Sequence, residues 1–276
     1  MNADFLGNLF NQHKVFKPLP SRSKICEFLE GLLQLLFPQL SEQKFDKLED
    51  LNAYAKKLNT SLIEILNGLG DNLSTSPENV KSEFLKQLPD IYAILKTDAE
   101  AIAQGDPASL DINEVIRTYP GFYSIAIYRI AHVFYTLEVP YLPRILTEYA
   151  HTKTGIDINP GAKIDSHFCI DHGTGVVIGE TAVVGKNVKI YQGVTLGALS
   201  VAKEMAKLKR HPTIEDNVII YSGATILGGN TIVGNNSIIG GNVWLIKSVP
   251  SYSRVYHREE INISKSDDQE AIMSSF

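Results

Sequence analysis

The chain has 276 residues, of which 44% are hydrophobic and 21% are charged, the composition of an ordinary globular protein. Its formal net charge of −5 argues against nucleic acid or an anionic membrane as a partner held by bulk charge. The only two cysteines, Cys26 and Cys169, lie in no CxxC pair, so no disulfide framework is expected and a reducing cytoplasm is the expected location.

The start of the chain carries no predicted targeting or membrane segment. Residues 1–16 lack the basic start and the apolar run of a signal peptide. The most apolar segment, residues 25–40, contains Glu27 and Glu30 and reaches Pro38 before its end. It is too short and too charged to span a bilayer, and it predicts a buried amphipathic helix.

Residues 1–155 predict an all-helical N-terminal domain. Apolar residues recur there at helical spacing, and Ser76-Pro77-Glu78 has the pattern of a helix start that would end at Gly105. Pro140 and Pro143 separate two later helices. The predicted helical segments are 41–69, 76–105, 121–137 and 143–155.

After Gly155 aliphatic residues recur every six positions, which is the signature of a hexapeptide β-helix. Each hexad would form one strand and one turn, and three hexads would form one triangular coil with the aliphatic residue on its axis. Glycine and asparagine would occupy the corners. We assign residues 156–250 to this β-helix domain and 251–276 to a C-terminal tail. The predicted axial residues are Ile158, Ile164, Ile170, Val176, Ala182, Val188 and Val194, then Ile214, Ile220, Ile226, Ile232, Ile238 and Trp244.

The two runs are out of phase, because Val194 and Ile214 are separated by three hexads plus two residues. Residues 197–213 therefore predict one loop extruded from the coil. The loop ends in Lys209-Arg210-His211, and it is either a functional excursion or a tolerated surface insertion.

Two histidines stand out as candidates for chemistry. His172 and Asp171 are expected at a corner that faces away from the axis, and Asp157 precedes them by less than one coil. An imidazole held by a carboxylate is a general base for a hydroxyl group, although such a pair is also a common hydrogen-bonded corner. Arg210, next to His211, has the chemistry to grip a carboxylate, or it belongs to a solvated basic turn. The histidine spacing does not suit zinc, and we expect no metal.

Two segments, "DINPGAKIDSHFCIDHGTGVVIGETAVVGKNVKIYQGVTLGA" and "KRHPTIEDNVIIYSGATILGGNTIVG", resemble serine acetyltransferase, the first enzyme of cysteine synthesis from serine. The resemblance covers roughly residues 105–255 and includes "GDPA" and "GFYSIAIYRIAH". It implies an α + β chain whose β-helix is parallel and left-handed. It also implies a homotrimer with active sites between subunits, and a hexamer joined through the helical domains.

The resemblance implies acetyl transfer from acetyl-CoA to L-serine by direct attack, without an acyl-enzyme. His172 would be the catalytic base and Asp157 its orienting carboxylate. Acids that hold the serine ammonium would be Asp106 and Asp171, while Arg210 and His211 would lie at the substrate carboxylate and the opposite wall. The resemblance names no oxyanion donors, and Cys169 is expected to pack. Backbone groups that meet acetyl-CoA would be those near Gly197, Ser222, Gly223 and Gly240.

Departures from the family pattern qualify these expectations. Asn159 stands where the family usually has histidine, and the loop lysines Lys203, Lys207 and Lys209 would either meet CoA phosphates or lie on a solvated helix. Feedback inhibition by L-cysteine is expected, whereas a chain that ends in Phe276 rather than isoleucine argues against a complex with cysteine synthase.

Alternative functions are a sister acyltransferase that takes homoserine or a sugar, a zinc enzyme of the γ-carbonic anhydrase kind, and a non-catalytic scaffold that binds cysteine synthase.

Overall fold

The computed structural model describes residues 1–16, 19–199 and 208–257. In these residues helices precede strands, as the sequence predicts, and none of the helices is both long and apolar enough to cross a membrane. Short 3-10 turns at Pro38–Leu40 and Gly70–Asn72 follow the second and third helices. The α-helices are Ala3–Val15 (α1), Arg22–Leu36 (α2), Leu48–Leu69 (α3), Pro77–Gly105 (α4), Ile112–Thr118 (α5), Pro120–Thr136 (α6) and Leu142–Thr154 (α7).

The ends of α4 follow from its sequence. Ser76 is the N-cap, and its hydroxyl accepts the backbone N–H of Asn79 at 3.2 Å, while Pro77 takes the first helical position. At the other end the N–H of Asp106 donates to the carbonyl of Ile102 at 3.1 Å. Asp106 is thus the residue at which the helix stops, and its position is fixed by the last turn of α4.

Short strands among the described residues form three parallel sheets. Consecutive strands lie in different sheets, and up to β13 each strand pairs with the third strand before it, so the chain winds as a three-sided coil. The first sheet holds Asp157–Ile158 (β1), Val177–Ile178 (β4), Thr195–Gly197 (β7), Thr225–Leu227 (β10) and Trp244–Leu245 (β13). The second holds Lys163–Ile164 (β2), Val183–Val184 (β5), Thr213–Ile214 (β8) and Ile232–Val233 (β11). The third holds Cys169–Ile170 (β3), Lys189–Ile190 (β6), Ile219–Ile220 (β9), Ile238–Ile239 (β12) and Arg254–Val255 (β14).

β14 lies beyond residue 250, the predicted end of the coil, and it pairs with β12. The third sheet therefore extends to Val255. Of the predicted loop 197–213, residues 200–207 fall outside the described part of the chain, and the segments on either side of them connect β7 to β8.

The register of the strands corrects the first predicted run of axial residues. Ile158 pairs with Ile178, and Ile178 pairs with Leu196, so the first turn of the coil is two residues longer than the second. The additional residues lie between β3 and β4. The predicted residues from Val176 onward are buried but precede their strands, and the inward strand positions belong to Ile178, Val184, Ile190 and Leu196.

The second predicted run shifts by one residue after Ile226, which pairs with Leu245. The prediction that Ile232, Ile238 and Trp244 fill the axis is therefore wrong. Ile232 is 42% exposed and Trp244 is 68% exposed, whereas Val233 and Ile239, one residue later than predicted, are fully buried. A hexad pattern does not reveal such a shift when both neighbouring residues are aliphatic.

A buried ion pair joins the helices to the first turn of the coil. Arg129 of α6 contacts Asp98 of α4 through two bonds, Nε–Oδ2 at 2.5 Å and Nη2–Oδ1 at 2.9 Å. The same guanidinium donates to the carbonyls of Ile164 (3.0 Å) and Asp165 (2.8 Å), and Asp98 accepts the N–H of Phe168 at 2.9 Å. Both side chains are almost inaccessible to solvent, so the ion pair itself lies in a region of low dielectric.

We predict that Asp98→Ala destabilises the protein strongly, because it leaves the buried Arg129 charge uncompensated. The expected loss is about 3–5 kcal/mol of unfolding free energy, measured by denaturant titration. Glu83→Ala is the matched control, since it breaks the exposed Glu83–Lys86 pair and should cost less than about 1 kcal/mol. Equal losses in the two variants would contradict a special role for the buried pair.

A second polar cluster ties α2 to α6 and α7. Glu30 Oε1 accepts hydrogen bonds from the Tyr123 hydroxyl (2.6 Å), the Tyr149 hydroxyl (2.8 Å) and the Lys153 ammonium (2.7 Å). Burial alone would raise the pKa of Glu30, but the bonds from Lys153, Tyr123 and Tyr149 outweigh it and lower that pKa. The folded state therefore favours the ionised carboxylate.

We expect Glu30→Gln to lower the unfolding free energy at pH 7 by about 1–3 kcal/mol, because bonds to a charged acceptor are lost. A carboxylate whose pKa is lower in the folded state stabilises the fold above its unfolded pKa, and this contribution disappears as the pH falls through the folded pKa. The difference between the wild type and Glu30→Gln should therefore shrink below about pH 4. Denaturant titrations at pH 7 and pH 3.5 measure it, and a difference independent of pH would refute the charge-based account.

Candidate active site

Asp106 is held at the end of α4 as an ionised carboxylate. Its Oδ1 accepts the N–H of Ala108 at 2.8 Å, and its Oδ2 accepts the hydroxyl of Tyr119 at 2.6 Å. The bond from Tyr119, followed by that from Ala108, lowers the pKa of Asp106. The same bond raises the pKa of Tyr119 to about 12, so the phenol keeps its proton. Asp106 therefore presents a fixed negative charge near the coil.

His172 and Asp171 lie in the lengthened corner between β3 and β4. His172 has a backbone φ of +57°, and its side chain is 73% exposed, whereas the Asp171 side chain is only 13% exposed. The imidazole Nε2 is 3.8 Å from Asp171 Oδ1. Gly173 follows with a φ of +92°, where a Cβ would overlap Ile156, so this corner requires glycine. The result is an exposed imidazole beside a shielded carboxylate, on a tight backbone turn.

Lys189 of β6, which no sequence pattern singles out, completes this cluster. Its ammonium lies 2.9 Å from Asp171 Oδ2, donates to the Gly105 carbonyl at 2.7 Å, and sits 4.5 Å from the centroid of the Tyr191 ring. Burial disfavours the charged form, but the bonds to Tyr191 and Asp171 outweigh it and raise the pKa of Lys189. A lysine at an outward strand position gives no sequence signal that separates such a contact from ordinary solvation.

Cys169 lies beside the cluster but not as a nucleophile. It is buried, and that burial raises the pKa of its thiol to about 12. A thiol that stays protonated at neutral pH is poorly nucleophilic. A Cβ on Gly105 would come within 3.2 Å of its sulfur, which places Cys169 in the contact between α4 and the coil. The geometry agrees with the predicted packing role.

Arg210 and His211 lie together on the last residues before β8. The Thr181 hydroxyl accepts the backbone N–H of Arg210 at 2.9 Å and that of His211 at 3.0 Å. The Thr181 N–H donates to His211 Nδ1 at 3.1 Å, which leaves the proton of the neutral ring on Nε2. Burial, and then the charges of Arg210 and Lys209, lower the pKa of His211 to about 4. At neutral pH this ring is therefore an uncharged donor.

The Arg210 guanidinium forms an ion pair with Glu180, and the Tyr135 hydroxyl donates to Glu180 Oε1 at 3.0 Å. Lys209, predicted either to meet CoA phosphates or to lie on a solvated helix, instead turns its ammonium toward the protein. It donates to the carbonyls of Thr181 (2.7 Å) and Pro212 (3.0 Å) and also to that of His211. Desolvation of this ammonium, on a residue that is otherwise exposed, lowers the pKa of Lys209 to about 8. The other two loop lysines, Lys203 and Lys207, lie outside the described residues.

A single chain does not bring all the predicted site residues together. The corner of His172 joins the third sheet to the first, whereas Arg210 and His211 lie on the connection from the first sheet to the second. The structure therefore groups Asp106 with Asp171, His172 and Lys189 at one corner. It groups Arg210 and His211 at another.

The backbone of Asp157 borders the His172 corner, since its N–H donates to the Val176 carbonyl at 2.9 Å. Its carboxylate belongs to a cluster with Glu148 and His151 of α7, whose ligand atoms lie within 4.8 Å of one another. Among the described residues, no hydrogen bond or ion pair connects Asp157 to His172, whose carboxylate partner is Asp171. The expected Asp157–His172 pairing is not formed in this arrangement.

Three of the four backbone positions expected to meet acetyl-CoA lie on the His172 corner. Ser222, Gly223 and Gly240 follow β9 and β12, which end at that corner. Backbone hydrogen bonds connect successive turns of the coil at this corner. The N–H of Gly193 donates to the Thr174 carbonyl at 2.9 Å, and that of Gly223 donates to the Gln192 carbonyl at 2.9 Å. Gly197, in contrast, ends β7 on the side that leads to Arg210.

The chain is similar over most of its length to proteins named serine acetyltransferase. The plasmid serine acetyltransferase of Synechococcus elongatus is 42% identical over 264 residues, which cover 86% of this chain and 82% of that protein. The structure of Entamoeba histolytica serine acetyltransferase 1 in complex with L-cysteine shows 40% identity and a TM-score of 0.76, over 83% of this chain and 86% of that one. The Brucella abortus strain S19 enzyme in complex with coenzyme A shows 28% identity and a TM-score of 0.62, over 84% and 78%. No protein-family model matches the chain.

We predict that Gly179→Ala displaces the His211 ring, because a Cβ at residue 179 would overlap the imidazole. Once moved out of its buried position, His211 should titrate with a pKa above the present value of about 4. NMR of histidine-labelled protein follows this change. Gly7→Ala is the control, since a Cβ there meets nothing within 4 Å. An unchanged His211 titration in Gly179→Ala would show that the ring does not depend on this glycine.

Proposed function

Because the chain belongs to the serine acetyltransferase family, we propose that it transfers the acetyl group of acetyl-CoA to the hydroxyl of L-serine, giving O-acetyl-L-serine and CoA. The observation that carries this proposal is the 42% identity to the Synechococcus elongatus protein across most of both chains. The clustering of Asp106, Asp171 and His172 at one corner supports it. The coenzyme A complex of the Brucella abortus relative supports acetyl-CoA as the donor.

His172 is the proposed general base. Its exposed ring is free to take the hydroxyl proton of serine as the oxygen attacks the thioester carbon, a role that typically contributes a factor of ~10²–10⁴ in rate. The attack gives a tetrahedral oxyanion. When the C–S bond breaks, the protonated imidazole returns the proton to the CoA thiolate. Asp157 is proposed to orient this ring; that role rests on the family resemblance, since Asp171 is the carboxylate beside the ring here.

The carboxylates of Asp106 and Asp171 are proposed to bind the ammonium of serine, and Arg210 its carboxylate. Arg210 offers a bidentate donor, and His211 a neutral Nε2–H beside it. A substrate with both charges, held at both ends, would leave its hydroxyl facing His172. This requirement favours a small amino acid over a sugar as the acceptor.

The two corners meet only if subunits associate. We propose a homotrimer of left-handed β-helices in which His172 of one subunit faces Arg210 and His211 of the next, with acetyl-CoA along the corner of Ser222, Gly223 and Gly240. Gly197 is proposed to meet acetyl-CoA from the facing subunit, since it lies toward the Arg210 side.

The division of the chain into domains is part of the same proposal. Residues 1–155 are proposed as the helical oligomerisation domain that joins two trimers into a hexamer, and the coil from residue 156 as the catalytic domain with extruded loop 197–213. The coil reaches Val255 rather than the predicted residue 250, so the tail follows Val255. We propose a cytoplasmic enzyme that L-cysteine inhibits at the serine site, in keeping with the cysteine complex of the Entamoeba histolytica relative.

The decisive test is release of CoA from acetyl-CoA, followed by loss of the thioester absorbance, with L-serine, homoserine and a hexose as acceptors, with and without L-cysteine. We expect CoA release with serine but not with homoserine or the hexose, and suppression of that release by cysteine. For His172→Ala we expect a loss of at least about 100-fold in kcat. Release with homoserine or the hexose but not with serine would replace the proposed substrate. Full activity in His172→Ala would remove the proposed base.

Mixed oligomers test the shared site. His172→Ala and Arg210→Ala should each be nearly inactive, but when the two are refolded together in equal amounts, about a quarter of the sites would join an intact His172 to an intact Arg210. Recovery to about a quarter of the wild-type turnover is expected. No recovery, in mixed oligomers verified by mass spectrometry, would place both residues of each site on a single chain.

A further inference from the structure

We infer that Lys189 is a positioning residue that sets the charge of the ammonium-binding pocket and fixes the orientation of Asp171. This inference rests on the proposed function, because it assigns Lys189 a place beside the proposed serine ligands.

The contacts of Lys189 join three separate elements. The residue belongs to β6, its partner Asp171 lies in the corner after β3, and its second partner, the Gly105 carbonyl, is the end of α4. Gly105 immediately precedes Asp106. One ammonium therefore holds both carboxylate-bearing segments, and its side chain is only 15% exposed. Solvent and salt screen an ion pair that is shielded in this way only weakly.

The pairing also decides which oxygen of Asp171 a ligand can use. Lys189 occupies Oδ2 at 2.9 Å, while Oδ1 faces the His172 ring at 3.8 Å. A substrate ammonium bound to Oδ1 would then lie on the side of the proposed base. If Lys189 were neutral, Asp171 would be free to turn, and its two oxygens would become equivalent.

The charge balance of the pocket leads to the same conclusion. Asp106 and Asp171 alone carry two negative charges, and like charges in one site favour protonation of one of them. With the Lys189 ammonium included, the three groups carry a net charge of −1, which the single ammonium of a bound substrate neutralises. The titratable groups that face this region are Asp106 and Tyr119 from the α4–α6 side, Cys169, Asp171 and His172 from β3 and its corner, and Tyr191 beside Lys189 on β6.

The test uses the full chain and the pH dependence of kcat/KM for L-serine. In Lys189→Met the acid limb should move to higher pH by about half a unit to one unit, because a nearby cation no longer favours the carboxylate or opposes protonation of the imidazole. The KM for serine should rise several-fold, while that for acetyl-CoA stays unchanged. Lys189→Arg, which keeps the charge, should return the limb to the wild-type position.

Lys186→Met is the matched control. In the described part of the chain, the Lys186 ammonium forms no hydrogen bond or ion pair, and its residue is exposed. The position of the limb, unlike the absolute rate, does not depend on the fraction of folded enzyme, so a partly unstable variant still gives an answer. An unmoved limb in Lys189→Met, an equal shift in Lys186→Met, or no rescue by arginine would each overturn the role of Lys189. A wild type that turns over no serine would instead overturn the proposed function.

Discussion

The buried contact between Arg129 and Asp98 is the constraint on which the arrangement of the site depends. It fixes α4 and α6 against the first turn of the coil through the carbonyls of Ile164 and Asp165 and the amide of Phe168. Since α4 ends at Gly105, its position also determines where Asp106 stands relative to the corner that carries His172. Asp106 at the end of a helix and His172 on the coil can act on one substrate only if the helix and the coil keep a fixed position relative to each other. A fully bonded buried pair provides that rigidity at the cost of desolvation.

Each charged residue assigned to the substrate already has a partner of the chain. Asp171 contacts Lys189, Arg210 contacts Glu180, and the Asp106 carboxylate accepts the Tyr119 hydroxyl. These partners hold the side chains in one orientation before a ligand arrives, so less conformational entropy is lost on binding. Partial neutralisation also matches the pocket to a small zwitterion, whose own charges cancel. The ligand-binding geometry is thus prepared by residues that need not touch the ligand.

The sequence predicts the large features of this fold because they repeat. Twelve aliphatic residues and one tryptophan at a period of six predict a coil, and the cap at Ser76 and the stop at Gly105 predict α4. Single residues inserted at the corners escape such reasoning, because Ile232 and Val233 are equally apolar and only the pairing decides which one is buried. The contact between Lys189 and Asp171 escapes it as well, since the strand pattern says only that Lys189 faces outward. His172 with Asp171 and Arg210 with His211 are candidates from the sequence alone, whereas Asp106 and the role of each residue come from the family resemblance. The division of these residues between two corners required the topology.

Three of the four departures from regular repeats lie where the proposed chemistry lies; the fourth is the short last turn, in which Val233 pairs with Val249 and Ile239 with Val255. The corner that carries Asp171 and His172 has two additional residues, and the connection that carries Arg210 and His211 separates Val184 from its partner Ile214 by far more than a regular turn. The third departure, near Gly228 and Gly229, lies one turn above that connection. A Cβ on Gly229 would overlap the Lys209 carbonyl, and one on Gly228 would come within 3.1 Å of Leu199. The one-residue insertion therefore makes room for both ends of the connection, so all three irregularities serve the two candidate clusters. A regular coil supplies rigidity, and its interruptions supply the positions at which side chains leave the packed surface and meet a substrate.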